Sequence, residues 1–100
     1  MPDYAFSPAA LARYEELEAD PQLWSVADRL GDVIERLAAA PDAAEFRRHR
    51  WQRPPAFAVA VPAGGADWMV LWEQVGAADA YENLEEGDIH VLYVGRWPGT

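Results

Sequence analysis

Residues 56–72, Ala-Phe-Ala-Val-Ala-Val-Pro-Ala-Gly-Gly-Ala-Asp-Trp-Met-Val-Leu-Trp, decide how this chain folds. The first six alternate large with small side chains, the period of a strand with one packed face. Pro62–Asp67, with Gly64-Gly65 at its centre, reads as a hairpin loop. Trp68–Trp72 is a second strand, apolar on both faces. Phe57, Val59, Val61, Trp68, Val70 and Trp72 share one face of this hairpin. Ala58, Ala60, Met69, Leu71 and Glu73 share the other. Ile89–Val94, closed by Gly95, supplies a third strand and adds Tyr93 to the second face. Gln74–Asp88 between them reads as a long acidic loop.

Working upstream, residues 41–55 form a connection that holds an arginine cluster and stops at Pro54-Pro55. Before it lies the clearest periodicity in the chain. Leu23, Ala27, Leu30, Ile34 and Leu37 recur at helical spacing, with Val26 and Val33 beside them. Asp20-Pro21 opens that helix with a cap and a proline, and Ala40-Pro41 closes it. Ser7-Pro8 repeats the opening signal for an earlier helix that presents Leu11, Tyr14 and Leu17, with Glu15, Glu16 and Glu18 turned to water. Almost no linker separates the two helices, so an antiparallel helical hairpin is expected. Tyr4-Ala5-Phe6 reads as a short first strand. The expected fold is α+β: a short N-terminal strand and a two-helix hairpin packed on an antiparallel sheet of three to four strands, one domain over residues 1–100. The helices can cover only one sheet face, so the apolar second face, Met69 and Leu71 above all, is expected to meet a partner.

Composition narrows the function. A chain of 100 residues that is 51% hydrophobic, with five Trp, four Tyr and three Phe, has the apolar content of a folded domain. The absence of cysteine removes disulfides, thiolate ligands and a cysteine nucleophile together. Two histidines without ligand spacing make a metal site unexpected, and no cofactor motif is present: Gly64-Gly65 lacks the lysine and helix of a phosphate loop. The N-terminus has neither a basic region nor a long apolar stretch, so no leader or membrane span is expected, and residence in the cytoplasm follows. Net charge is −9, distributed as −7 over residues 1–45, +4 over 46–53 and −6 over 54–100. An acidic protein repels phosphate backbones at long range, so a nucleic-acid contact would have to centre on residues 47–53.

The opening Tyr4-Ala5-Phe6-Ser7-Pro8-Ala9-Ala10-Leu11, followed by Tyr14 and Leu17, resembles the first strand and helix of the RelE/ParE family of bacterial toxins. So does the order of elements. The end, Val91-Leu92-Tyr93-Val94-Gly95-Arg96, is similar to the family's last strand, which commonly runs into a glycine and then basic residues. The resemblance implies the toxin of a type II toxin–antitoxin pair, held inactive by an antitoxin protein. Its RelE-like members cut messenger RNA on the ribosome; ParE-like members poison DNA gyrase. The nuclease reaction needs a base for the 2′-hydroxyl, cations on the phosphate and an acid for the leaving oxygen. The positions that supply much of this in the family fall at Ala58, Ala60, Met69 and Trp97, none of which can stabilise phosphate charge.

Tyr93, Arg96 and His49 are therefore the candidates for catalysis. Tyr93 would orient or protonate a nucleotide, Arg96 would hold its phosphate, and His49, close to the arginines, would be the general base. Each has a plainer reading: a packed strand aromatic, a solvated arginine, a surface histidine. Arg47, Arg48, Arg50, Arg53 and Trp51 would bind RNA or the acidic tail of a partner, or else pair with the acidic helices. His90 and Glu73 read as strand-end residues, and Trp68 and Trp72 as core. The alternative to a nuclease is a domain of the same fold that acts by binding an antitoxin, gyrase or a second copy of itself.

Overall fold

The structure, a computed structural model, describes residues 4–52, 55–75 and 87–97. Five strands form one mixed sheet: β1 (Tyr4–Phe6), β2 (His49–Gln52), β3 (Pro55–Ala63), β4 (Ala66–Gln74) and β5 (Ile89–Arg96), in the order β1-β5-β4-β3-β2. β2 to β5 make an antiparallel meander, and β1 lies parallel to β5 at the far edge. Helices α1 (Pro8–Ala19) and α2 (Trp24–Ala39) follow β1. No helix among the described residues is long and apolar enough to cross a membrane.

The α+β architecture and the facing of the hairpin agree with the sequence reading. Val59, Val61, Trp68, Val70, Trp72, Ile89, Val91 and Val94 pack with Leu17, Leu30, Ile34 and Leu37 of the helices. Gly64 and Gly65 alone turn the β3–β4 hairpin, with φ of 58° and 77°. A two-residue turn with both φ values positive matches strand twist, and glycine adopts it without steric cost.

Ser7 caps α1 as expected, accepting from the Ala10 amide at 3.1 Å. It also ties the helix to the sheet, because its amide donates to the Val91 carbonyl at 2.8 Å and its hydroxyl to that of Leu92 at 3.1 Å. The buried face of α1 is Ala10, Tyr14 and Leu17 rather than Leu11, which is exposed. Leu11 lies a hundred degrees around the helix from Ala10, outside the stripe that meets the sheet.

Two further expectations are corrected. Residues 41–55 are not all connection, because His49–Gln52 is a strand, which raises the sheet to five strands. Its polar composition hides it: an edge strand has one ladder neighbour and needs no alternating apolar face. The sheet is mixed rather than purely antiparallel, since β1 pairs parallel with β5, the last strand of the meander. A register shift at Leu71/Trp72 sets Leu71 opposite Tyr93 and Trp72 opposite Val91, which leaves Leu92 as the extra residue of a bulge. The acidic loop read at 74–88 falls largely outside the described residues.

The helices are held together at Tyr14, whose hydroxyl donates to the Ala27 carbonyl at 3.0 Å. Burial pushes its pKa above the ordinary 10.0, helped by the charges of Glu18 and Asp28 and then by Tyr4 and Asp32. The folded state thus holds this proton more tightly than the unfolded chain does. Its contribution to stability is fully present below pH 10 and is lost as pH rises through the folded pKa. Unfolding free energies measured from pH 8 to 11 should fall at the alkaline end for the parent chain, and Tyr14→Phe should remove that part of the fall.

Candidate functional site

The turn before β2 and β2 itself carry the arginine cluster, and its members do different things. Arg47 is a clamp. Its Nε donates to the Pro41 carbonyl at 2.8 Å, and one terminal nitrogen reaches Asp42 at 3.1 Å and the Gln74 side chain at 3.2 Å. The guanidinium also lies 5.1 Å from the Phe57 ring centroid and 5.5 Å from that of Trp72. These contacts tie the chain after α2 to β3 and β4 and leave Arg47 little capacity for a ligand. Arg50 pairs in register with Phe57 on the helix-facing side and places its guanidinium 5.1 Å from that ring. Arg53 lies outside the described residues.

His49 and Trp51 point to the other face, opposite Ala58 and Ala56. There the His49 ring meets the Trp97 ring at 5.4 Å and 67°. Trp97 follows β5, so the arginine-bearing strand and the closing Tyr–Val–Gly–Arg segment do share the outer face of the sheet. They meet through aromatic rings and not through cations.

Ala56, Ala58, Met69 and Leu71 form a small buried cluster on that face, with Trp51, Leu92 and Trp97 packed against it. Met69 is 1% and Leu71 4% exposed. The expectation that these two face a partner is corrected: the chain buries them itself, because long side chains from both flanks fold over the small residues of β3. Among the described residues, the large hydrophobic side chain that stays exposed on this face is Tyr93, at 42%. It lies over Gly95, where a Cβ would collide with its ring.

Arg96 points the other way. Its register partner is Trp68 of the helix-facing core, and its guanidinium sits 5.6 Å from that ring. Tyr93 pairs with Leu71 of the outer cluster. The bulge at Leu92 falls before both residues, so alternation from Tyr93 to Arg96 carries them to opposite faces. The candidate triad is thus divided, with His49 and Tyr93 on one side of the sheet and Arg96 on the other. Glu73 is engaged in a cross-strand pair, 3.0 Å from His90 Nδ1.

The positive groups that do converge are ones the linear sequence disguised. Arg29 and Arg36 of α2 join Arg48 around an open cleft of about 260 Å³ between α2 and β3; His49 borders it as well, but its ring meets Trp97 on the other face. Val33, Phe46 and Val59 form its apolar lining. Arg36 pairs with Glu45 at 3.0 Å in an exposed bridge of small energetic weight. Arg29 and Arg48 have no carboxylate partner among the described residues. The seven-residue spacing of Arg29 and Arg36, with Val33 between them, was the available signal: it puts both on one flank of the α2 apolar stripe.

Known proteins offer no identification. The chain matches no family model, no curated protein and no solved structure.

Proposed function

We propose that this chain is a RelE/ParE-like toxin-type domain of the bacterial cytoplasm that works by binding a protein, an antitoxin and a cellular target, and not by cutting messenger RNA. The observation that carries this reading is the division of Tyr93 from Arg96 across the two faces of β5. In-line cleavage of a phosphodiester needs acid, base and cation within hydrogen-bond reach of one phosphate. Here the tyrosine and the arginine point away from each other. The positions at which RelE-like nucleases carry cations are Ala58, Ala60 and Met69, two of them buried beneath aromatic side chains. The order strand, two helices and meander supports the resemblance at the level of fold.

Induced expression in a bacterial host, with growth and transcript ends scored together, tests it. Growth should slow while messages keep their normal ends. Tyr93→Phe and Arg96→Ala should leave the growth effect within about twofold of the parent, as expected for surface changes. New transcript ends that vanish in the Tyr93→Phe protein would restore the nuclease. Harmless expression would remove the toxin.

A further inference from the structure

β3 is longer than its neighbour. β2 pairs with Pro55–Ala58 only, so the outer edge of β3 from Val59 to Ala63 has no strand beside it among the described residues. The direction of its backbone groups follows from one hydrogen bond. The Asp67 carbonyl accepts from the Trp97 amide at 3.0 Å and so points toward β5. Asp67 is opposite Pro62, which makes that pair a non-hydrogen-bonded one in the β3–β4 ladder. By alternation Ala60, opposite Met69, is the same. The Ala60 N–H and C=O and the Pro62 C=O therefore face the open edge, while Val59 and Val61 bond to β4. Proline fits this place because its missing donor would have pointed away from the sheet.

The cleft of Arg29, Arg36 and Arg48, in which Glu45 is paired with Arg36, lies directly along this open stretch, since Val59, Ala60, Val61 and Pro62 line it. An unpaired edge and a basic cleft thus coincide. We infer that an extended acidic segment of a partner protein adds as a short strand beside Ala60 and Pro62, in continuation of β2, with its carboxylates against Arg29 and Arg48. The inference deepens the binding role proposed above by giving the partner its chemistry and its seat.

Charge selects this occupant. Among the described residues Arg29 and Arg48 make no ion pair, and in a protein of net charge −9 they form a local well for anions in a repulsive field. A second copy would bring another −9 and set like arginines together across the edge. A nucleic acid would have to run past exposed Asp28, Asp32 and Glu35 on α2. A peptide strand needs only a few carboxylates, and its backbone supplies the donors and acceptors that the edge lacks.

The test uses the purified full chain and a synthetic decapeptide that alternates glutamate with valine, followed by fluorescence anisotropy and amide hydrogen exchange. The glutamate peptide should bind and its lysine counterpart should not, and added salt should weaken binding. The Ala60 amide, fast in the free protein, should slow on binding, whereas Val59 and Val61 are slow throughout. The double change Arg29→Glu with Arg48→Glu should weaken binding at least about tenfold. Ala60→Pro, which removes the single donor, should weaken it about three- to tenfold. No binding, equal binding of the lysine peptide, an unchanged Ala60 amide, or a single-stranded RNA that binds more tightly would each overturn the inference. So would Ala60 protection that rises with protein concentration alone, which signals a second copy. Peptide binding without a growth effect would sink the toxin reading and keep the site; a growth effect without peptide binding would do the reverse.

Discussion

Trp72→Ala is expected to destabilise the domain by about 3–5 kcal/mol, the range for deleting a buried aromatic. Against a total of about 5–15 kcal/mol for a typical domain, that leaves a large share of molecules unfolded near body temperature. Three losses combine at this position. The side chain is fully buried in the helix-facing core, so its removal opens a cavity. Its indole N–H donates to the Phe46 carbonyl at 3.1 Å, and that carbonyl would lose its partner. Its ring also supports Phe57, 5.1 Å away, and the Arg47 clamp. Thermal unfolding should show a midpoint lowered by at least about 12 °C, at roughly 4–8 °C per kcal/mol for a chain of this size. Trp72→Phe, which keeps most of the volume, should lose only about 1–3 kcal/mol through the missing hydrogen bond. Equal melting of the alanine variant and the parent would mean that the helices and sheet are not joined at this residue.

Met69→Asp is expected to be nearly as damaging, and for a different reason. Met69 lies on the sheet face away from the helices, where an exposed apolar residue would tolerate a charge. It is instead enclosed with Ala56, Ala58 and Leu71 under Trp51, Leu92 and Trp97. A carboxylate there would either remain unpaired in an apolar cluster or pull the aromatic cover apart. The cost of an uncompensated buried charge is on the order of 3–5 kcal/mol. Urea unfolding of the isolated chain should show it with no partner present. Wild-type stability in this variant would mean that the outer face is open after all and free to receive a partner. A charge at Met69 or Leu71 would act through folding, so in cells it would not report on partner binding.

Much of the framework was legible in the chain. The stripe from Val26 to Leu37 identified α2, because a helix must turn one apolar flank to the sheet and the spacing records which. The alternation in 57–61 and 68–72 divided the hairpin correctly into its two faces. Ser7-Pro8 announced the start of α1, and Gly64-Gly65 the tight turn. β2 was hidden because His-Arg-Trp-Gln carries no apolar alternation. The bulge at Leu92 was hidden as well, since no local pattern states how a strand is registered against a neighbour twenty residues away.

By itself the sequence determined where both helices and four of the five strands form and most of the side chains that seek the interior, because those follow from periodicity within one segment. Only the tertiary structure decided which charges meet. Arg47, Arg48 and Arg50 are neighbours in sequence yet differ in what they meet: Arg47 is tied to Pro41, Asp42 and Gln74 and shares the Phe57 ring with Arg50, while Arg48 borders the α2 cleft. Arg29 and Arg48 are nineteen positions apart and share a cleft. Tyr93 and Arg96 are three apart on one strand and face opposite ways. The physical reason is that strand alternation and sheet order act on every side chain separately, so nearness along the chain does not fix nearness of charge.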